Sequence, residues 1–429
     1  MKIAIIWWWA AGMMAAATIL EQIQSEYIDD INIPQGTGKT VLLFEKNKIL
    51  GAKVRISGWG RCNITTNITN TKELLTKYPR GSEFVEYAIR NFTPKSIYKR
   101  FESNWLVLKI QPDNRVFPAS NDANDVVKCF EDIYQKYPDF IHIYTNTSIT
   151  DITKVEDKFC ISTQDNTYIV DKIIITTGGV AYRHTWSTWE WYTFAEKFWH
   201  KITRLSPSLN SFLLKNKNIY TSLQWLCYLS KITYLSNNQT KYIYGEIVWT
   251  HFGISGPGIF ALASHLAYHD LSFDEENKSD NNIYISYLNH DSIYRKNEIE
   301  NYISQNHKKQ IKTMLSSMIP DRLADMILEI ANIDWLISCW NLNKIQKKYI
   351  YNLLSEGINV QILERRPGDE FVTAGWIDTS LINQKTMESI ICKWLYFAGE
   401  IIDVDGYTWG FNLTACRATG RLSAINAIA

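Results

Sequence analysis

Short apolar runs alternate with amphipathic stretches along most of the chain, and the first of them already indicate a fold. Residues 3–6 are uninterrupted apolar residues, which predicts a fully buried strand, and residues 11–25 predict an alanine-rich helix. Residues 41–45 predict a second strand that ends in an acidic residue. A buried strand, a tight turn, a helix and a second strand are the opening βαβ unit of a dinucleotide-binding fold.

The remaining pattern predicts one sheet-forming domain that is interrupted by an insertion. Helices are predicted within 72–103 and 115–136, and strands at 140–145, 147–154, 158–163, 167–170 and 172–177. Beyond residue 199, short aromatic strands alternate with helical stretches, and only near residue 356 does the strand-and-helix chemistry of a sheet return. We therefore predict an α/β fold in which a discontinuous Rossmann-like domain, residues 1–199 and 356–429, carries an inserted α+β substrate or cap domain at 200–355.

The turn of the first βαβ unit lacks two of the three glycines that a dinucleotide-binding turn carries. Those glycines permit a tight turn, close approach of backbone to pyrophosphate, and packing of helix on strand. The residues after the first strand are Trp7, Trp8, Trp9, Ala10, Ala11 and Gly12. Only the last glycine remains, so we expect the chain as written to bind a dinucleotide poorly.

Tryptophan also stands at other positions where the local pattern favours glycine. Together with the turn these make eleven tryptophan positions, which are 7, 8, 9, 59, 186, 189, 191, 199, 376, 394 and 409. The chain has 20 glycines in 429 residues, and glycine at those positions would give 31, a content of about 7%, which is usual.

A single mechanism would explain tryptophan at all eleven positions. The chain is rich in Ile, Lys, Asn and Tyr, whose codons are AU-rich. Some bacteria with AT-rich genomes read UGA as glycine, and others read it as tryptophan. We hypothesise that a gene of the first kind has been translated with the codon table of the second. Deliberate Gly→Trp substitution, or decay into a cofactor-free paralogue, is the alternative, and the coding DNA separates them.

Composition and charge narrow the class of protein. Hydrophobic residues make up 46% and charged residues 21%, with a net charge of +1 and no basic block, so nothing indicates a nucleic-acid or membrane-surface partner. Seven scattered cysteines indicate neither a disulfide framework nor a metal site, and they are typical of a cytoplasmic protein. Residues 3–20 carry no charge, so a membrane-spanning helix or a signal peptide is the alternative to a buried strand and helix.

Further motifs lie in the same order as those of one known family. They are residues 53–63 with Ser-Gly-Trp-Gly-Arg-Cys-Asn, residues 177–179 with Thr-Gly-Gly, residues 185–192, residues 250–257, and residues 398–412 with Gly-Glu, Asp-Gly and Gly-Phe-Asn. With the first turn, the chain resembles the BaiN-like, or aminoacetone-oxidase-like, family of NAD(P)/FAD-dependent oxidoreductases. The resemblance covers nearly the whole chain, and its departures are tryptophans where the family carries glycine. It implies an FAD-dependent flavoprotein that transfers hydride to or from a small molecule, with NAD(P)H as the candidate electron donor.

The resemblance also implies which residues would contact FAD. Glu45 lies 33 residues after Gly12, because of an inserted loop at 28–39, and would take the adenosine ribose; a solvated charge at the strand end is the alternative. The other implied contacts are Trp7, Trp8, Trp9, Ala10, Ala11, Gly12, Lys46, Lys53, Ser57, Gly58, Trp59, Gly60, Arg61, Cys62, Asn63, Thr177, Gly178, Gly179, Gly399, Glu400, Asp405, Trp409, Gly410, Phe411 and Asn412.

Four side chains are candidates for chemistry beside the flavin. His184 and His251 lie in glycine-rich turns and could exchange a proton with substrate, or could be hydrogen-bonded loop histidines. Arg61 could pair with a phosphate or a substrate carboxylate, or could form a structural salt bridge. Cys62 could be redox-active, but without a nearby partner cysteine a packed thiol is the favoured interpretation.

Two functions of other classes remain as alternatives. One is a cofactor-free binding or scaffold protein in which the tryptophans are real. The other is a flavin-dependent RNA-modifying enzyme, since related folds serve that chemistry, although the lack of a basic stripe weighs against it. Codon identity tests the first alternative, and RNA-dependent turnover with salt-sensitive binding tests the second.

Overall fold

The computed structural model describes residues 1–7, 9–29, 38–182, 190–236, 239–269, 271, 282–288 and 296–429. Its strands are β1 Lys2–Ile6, β2 Thr40–Phe44, β3 Thr65–Thr66, β4 Leu108–Ile110, β5 Arg115–Pro118, β6 Ile141–Tyr144, β7 Ile149–Val155, β8 Lys158–Thr163, β9 Thr167–Val170, β10 Lys172–Ile175, β11 Ser206–Ser208, β12 Phe212–Leu214, β13 Cys227–Ser236, β14 Gln239–Trp249, β15 Gly253–Ser255, β16 Asn282–Tyr287, β17 Ile358–Arg365, β18 Val372–Ala374 and β19 Leu395–Phe397.

The α-helices are α1 Ala10–Asp29, α2 Ala52–Gly60, α3 Thr71–Leu75, α4 Ser82–Asn91, α5 Pro94–Ser103, α6 Ala123–Gln135, α7 Glu190–Lys197, α8 Pro257–His265, α9 Lys296–Gln305, α10 Ile311–Ser316, α11 Asp321–Ile330, α12 Lys344–Ser355 and α13 Phe411–Ile428. Short 3₁₀ helices lie at Lys217–Leu223, Cys339–Asn341 and Thr379–Leu381. The elements form two compact units, the first made of Met1–Ser206 and Phe371–Ala429 and the second of Pro207–Glu370.

The first unit is built on a five-stranded parallel sheet. Its strand order is β19-β10-β1-β2-β6, and every neighbouring pair is parallel. Strands β2 and β6 lie on one side of β1, and β10 and β19 lie on the other, so the switch point of the strand order lies beside the carboxyl end of β1. Two small antiparallel sheets, β3-β5-β4 and β7-β8-β9, also belong to this unit. The predicted α/β fold with a discontinuous Rossmann-like domain is confirmed.

Small residues allow the first helix and the last helix of the chain to pack closely against each other. Helix α1 contributes Ala15, Ala16 and Ala17, which have no exposed surface. Helix α13 passes so close to α1 that a Cβ atom on Gly420 would lie 2.3 Å from the carbonyl oxygen of Ala11. The N-terminus of α1 is therefore fixed by the last helix of the chain as well as by the sheet.

The segment considered as a membrane helix is instead a strand and a helix. Residues 3–20 form most of β1, a turn and the first half of α1, so the single-helix alternative is wrong. Within the described ranges, no helix combines the length and the apolar character that a bilayer crossing needs.

The second unit contains a closed antiparallel barrel with strand order β12-β15-β14-β13-β16-β17. Strands β13 and β14 have ten and eleven residues, longer than the short aromatic strands that the sequence pattern indicates. Strand β17 pairs with β12 and β16, so residues 358–365 belong to this unit. The division at 206/207 and 370/371 therefore differs from the expected boundaries at 199/200 and 355/356.

Candidate functional site

The turn after β1 lies at the switch point of the parallel sheet. Trp7 follows the strand with a φ of 76°, and α1 begins at Ala10. Gly12 lies where the helix passes the strand end, and a Cβ atom there would be 2.2 Å from the carbonyl oxygen of Trp7. Dinucleotide-binding sheets place the pyrophosphate at this position, against the N-terminus of the helix.

The indoles of Trp7 and Trp9 fill the space at this turn. Their exposed fractions are 1% and 5%, and their ring centroids are 5.4 Å apart. The Trp9 ring lies directly over the backbone of Gly178, since a Cβ atom there would be 2.0 Å from Trp9 Cζ3. The Lys53 ammonium lies 3.7 Å from the centroid of the same ring.

Glu45 is a buried carboxylate that faces the turn. It directly follows β2, is 1% exposed, and its Oε1 accepts a hydrogen bond of 2.6 Å from Trp7 Nε1. The backbone N–H of Asn47 donates to the same oxygen at 2.8 Å. The alternative of a solvated strand-end charge is therefore wrong. The carboxylate that a dinucleotide fold directs at a ribose hydroxyl binds an indole N–H in this chain.

Lys53 and Glu400 form a mostly buried ion pair beside the two indoles. Lys53 Nζ lies 3.0 Å from Glu400 Oε2, and the backbone N–H of Thr373 donates to Oε1 at 3.3 Å. Burial lowers the pKa of Lys53, and the adjacent Glu400 carboxylate opposes that shift. A Cβ atom on Gly179 would lie 2.4 Å from Glu400 Oε1, so the carboxylate packs on the glycine backbone.

The last residues of α2 depart from helical geometry, and the segment 57–63 passes through left-handed backbone. Gly58, Trp59 and Gly60 have φ values of 56°, 61° and 77°, and the Trp59 ring is exposed. Ser57 donates its hydroxyl to the carbonyl of Val54 at 2.7 Å.

Arg61 and Cys62 have structural partners. The Arg61 guanidinium lies 4.0 Å from the centroid of the Phe117 ring, and its Nε donates to Asn121 Oδ1 at 3.0 Å. Cys62 is a fully buried free thiol, and Arg417 Nη2 donates to its Sγ at 3.9 Å. A packed thiol, the favoured interpretation of the sequence, agrees with this environment.

The segment before α13 joins the same region. Asp405 is buried and forms an ion pair with Arg80. Asn412 accepts a hydrogen bond of 2.7 Å from the backbone N–H of Gly406. A Cβ atom on Gly410, where φ is 88°, would lie 2.9 Å from Asn63 Oδ1, so the two glycine-rich segments are in contact.

The remaining sequence candidates divide into three groups. His184 and Trp8 lie outside the described residues. His251 belongs to the second unit, where it is exposed and its ring centroid is 6.3 Å from that of Trp225. Lys46 is half-buried directly after Glu45. In the part of the chain that the structure describes, no group of three or more His, Cys, Asp or Glu residues could hold a metal ion.

An aromatic stack beside Gly179 could not be predicted from the sequence pattern. Trp376 and Tyr192 are stacked at 4.6 Å with an interplanar angle of 13°, and Trp376 Nε1 donates to the carbonyl of Thr373 at 2.8 Å. A Cβ atom on Gly179 would lie 3.0 Å from the Trp376 ring. The local pattern Ala-Gly-Trp at residues 374–376 had marked position 376 as one that favours glycine. It did not indicate that this residue lies near Gly179.

Several buried polar atoms around the indoles lack hydrogen bonds. Trp9 Nε1, Thr177 Oγ1 and Thr373 Oγ1 have no partner among the described residues. A buried polar group without a partner costs about 1–3 kcal/mol. The rings therefore fill a space that is lined with hydrogen-bonding groups, which an apolar filling leaves unsatisfied.

A dinucleotide does not fit the residues that this chain carries. Trp7 and Trp9 occupy the place where a dinucleotide fold binds pyrophosphate, and an indole N–H binds Glu45, the carboxylate that follows β2. The left-handed backbone at Trp7 is also unfavourable, since a non-glycine residue there costs about 1–3 kcal/mol. The backbone has the form of a cofactor site, whereas the side chains close it.

We expect the buried carboxyl group of Asp403 to make the stability of the first unit depend on pH. Its Oδ2 accepts a hydrogen bond of 3.0 Å from Thr203, and its Oδ1 has no partner within the described ranges. Burial raises the pKa of Asp403, and the nearby Asp405 carboxylate raises it further. The folded protein thus holds this proton to higher pH than the unfolded chain does, so the associated stability is lost as pH rises.

We expect Asp403→Asn to raise the melting temperature near neutral pH and to leave it almost unchanged below the ordinary aspartate pKa of 3.8. Asp378 is the matched control, because hydrogen bonds from Ser380 lower its pKa. Asp378→Asn should therefore lower the melting temperature at neutral pH. Thermal unfolding across that pH range measures both, and equal shifts of one sign would contradict the assignment.

A family model described as "HI0933-like protein Rossmann domain" matches residues 1–426. The chain is 24% identical over 379 residues to a Haemophilus influenzae protein named "Ribosomal RNA dihydrouridine synthase", over 87% of this chain and 89% of that protein. It is 23% identical over 386 residues to a Clostridium scindens protein named "3-dehydro-bile acid delta(4,6)-reductase", over 89% and 91% of the two chains. A solved structure of quinol-fumarate reductase with menaquinol molecules aligns at 12% identity and a TM-score of 0.46, over 100% of this chain and 70% of that one.

Proposed function

The chain belongs to the HI0933-like Rossmann family, and from this premise we propose that it is an FAD-dependent oxidoreductase whose cofactor site requires glycine at the first turn. The observation that carries the proposal is the position of Glu45, which directly follows β2 and accepts a hydrogen bond across the turn at the switch point of the sheet. This arrangement of turn, helix N-terminus and acid is the one that binds a dinucleotide. The contacts proposed for FAD are those that the family resemblance implies.

The proposed reaction is the addition of hydrogen to a carbon–carbon double bond. The names of the two relatives support this class, since one refers to a dihydrouridine product and the other to the reduction of a delta(4,6) bile acid. Bound FAD would supply hydride transfer, so the protein needs to bind and orient the substrate rather than to provide a nucleophile. We propose NAD(P)H as the electron donor.

Two substrate classes follow from those names. A small unsaturated carbonyl compound agrees with the net charge of +1 and the absence of a basic block in the sequence. A uridine in ribosomal RNA is the second candidate, because it agrees with the name of a relative that aligns over most of both chains. We favour the small molecule, and salt dependence separates the two, since phosphate contacts weaken steeply with added salt.

The test uses the protein with glycine at positions 7, 8, 9 and 376, loaded with FAD. We expect NADH or NADPH to bleach the flavin absorbance under anaerobic conditions, and an unsaturated substrate to restore it. A small enone and a uridine-containing ribosomal RNA fragment are the two arms, each at low and high salt. A protein that binds FAD stoichiometrically, but whose reduced flavin is reoxidised by neither arm, would contradict the proposed reaction class.

A further inference from the structure

We infer that eight tryptophans of this chain occupy backbone positions built for glycine, and that glycine is the natural residue at all eight. They are Trp7, Trp59, Trp105, Trp199, Trp225, Trp376, Trp394 and Trp409. Trp105 and Trp225 are not among the eleven tryptophan positions of the sequence pattern, so the backbone adds a criterion that the sequence lacks. The inference goes beyond the proposed function, because Trp105, Trp199, Trp225 and Trp394 are not among the residues proposed to contact FAD.

All eight tryptophans have left-handed backbone. Their φ values lie between 61° and 147°, a range that side chains with a Cβ atom rarely adopt. Seventeen described non-glycine residues have positive φ; eight are Trp and four are Asn. Asparagine tolerates this conformation because its short polar side chain can hydrogen-bond locally, and an indole has no such means. Eight of the 13 tryptophans that the structure describes therefore stand where glycine is the expected residue.

Trp105 illustrates the demand for glycine at a helix end. Helix α5 ends with a hydrogen bond of 3.0 Å from Leu106 N–H to the carbonyl of Phe101 and one of 3.0 Å from Trp105 N–H to the carbonyl of Glu102. This pair of bonds defines a Schellman motif, in which the left-handed residue is usually glycine. The Trp105 ring is 89% exposed, so no packing explains a tryptophan there.

Trp199 repeats the same motif at the end of α7. His200 N–H donates to the carbonyl of Ala195 at 3.0 Å, and Trp199 N–H donates to the carbonyl of Glu196 at 2.8 Å. The φ of Trp199 is 64°, and its ring is exposed. Helices α5 and α7, both in the first unit, therefore end in the same Schellman motif, and each has tryptophan at the position where glycine is usual.

Trp225 occupies the glycine position of a β-turn in the second unit. Gln224 has φ −49° and ψ 132°, Trp225 has φ 66°, and Leu226 N–H donates to the carbonyl of Leu223 at 2.8 Å. These values describe a type II turn, whose third residue requires positive φ and is therefore usually glycine. Trp225 is not among the residues that the family resemblance implies as FAD contacts.

Other tryptophans of the chain serve as an internal contrast. Trp249 is fully buried at the end of β14, and its Nε1 donates to Tyr228 Oη at 3.1 Å. Like Trp249, Trp335 and Trp340 have no left-handed backbone, and none of the three is among the eleven positions that the sequence pattern marks. The structure assigns these three as genuine tryptophans, so the inference separates residues that composition alone cannot distinguish.

The decisive experiment reads the sixteen codons in the gene and sequences peptides of the protein from its source cell by mass spectrometry. We expect UGA codons and glycine at the eight left-handed positions, and UGG codons and tryptophan at 249, 335 and 340. Tryptophan in the native peptides that span residues 105 and 225 would overturn the inference. Glycine there together with a flavin-free protein would instead count against the proposed function alone.

A second measurement tests the backbone argument on the chain as written. Trp105→Gly and Trp225→Gly should each raise the melting temperature by about 2–4 °C, whereas Trp249→Gly should lower it. Trp105→Ala is the matched control, since it removes the exposed indole but keeps a Cβ atom at positive φ. An equal rise in the alanine and glycine variants would contradict the backbone explanation.

Discussion

Glycine at positions 7, 8, 9 and 376 will turn a colourless protein into a yellow one that binds FAD at least about a hundredfold more tightly, which corresponds to about 3 kcal/mol. The reason is spatial. Trp7 and Trp9 fill the turn at the switch point of the sheet, and the Trp376 ring lies against Gly179. Removing these rings opens the N-terminus of α1 and frees the Glu45 oxygen that Trp7 Nε1 binds at 2.6 Å.

The measurement is a titration with FAD followed by flavin absorbance and fluorescence after desalting. The control is Trp105→Gly with Trp225→Gly, which makes the same kind of change in turns outside the candidate site and should leave the protein colourless. Stoichiometric flavin in the chain with all its tryptophans would refute the conclusion that the indoles close the site.

Glu400→Gln will lower the free energy of unfolding by about 3 kcal/mol, because it leaves the mostly buried Lys53 ammonium without its carboxylate. Glu86→Gln is the matched control. Glu86 pairs with Arg90 within an exposed helical turn, so its loss should cost no more than about 0.5 kcal/mol. Urea unfolding measures both variants.

The loss of unfolding free energy in Glu400→Gln should also depend on pH. The Glu400 carboxylate raises the Lys53 pKa against the effect of burial, so its removal lowers that pKa further. A lysine with a lowered folded-state pKa destabilises the fold most where it is charged in the unfolded chain, so stability recovers as pH rises towards the ordinary lysine value of 10.5. Replacing both residues, as Lys53→Met with Glu400→Leu, should restore much of the loss. A double variant as unstable as Glu400→Gln would show that the pair acts through packing rather than charge.

The sequence was sufficient to predict those strands and helices whose positions follow from the periodicity of apolar residues. The first strand, its helix and the second strand lie within a few residues of their predicted positions, because a buried parallel strand and an alanine-rich helix leave strong local patterns. The predicted position of Glu45 after β2 also depended on local order alone. The same reasoning assigned residues 358–365 to the wrong unit, since a strand pattern does not reveal its partner and β17 pairs within the barrel.

The sequence alone did not identify every position at which the backbone conformation requires glycine, nor the contacts between distant segments. Trp105 and Trp225 were not recognised as glycine positions, because a helix end and a type II turn leave no pattern when their glycine is replaced. The stack of Trp376 on Tyr192 joins segments far apart in the chain and could not be foreseen from spacing. The ion pair between Lys53 and Glu400 is separated by 347 residues and has the same cause.

The hydrogen bond from Trp7 to Glu45 has a consequence for any attempt to rescue the written chain with excess cofactor. The indole is tethered to the protein, so it acts as an intramolecular competitor whose effective concentration reaches about the millimolar range or more. Free FAD would have to displace this indole together with the Trp9 ring. The free energy gained by adding more FAD grows only with the logarithm of the FAD concentration. Supplementing the growth medium or the assay with flavin should therefore leave the protein colourless, and only a change of residue releases the site.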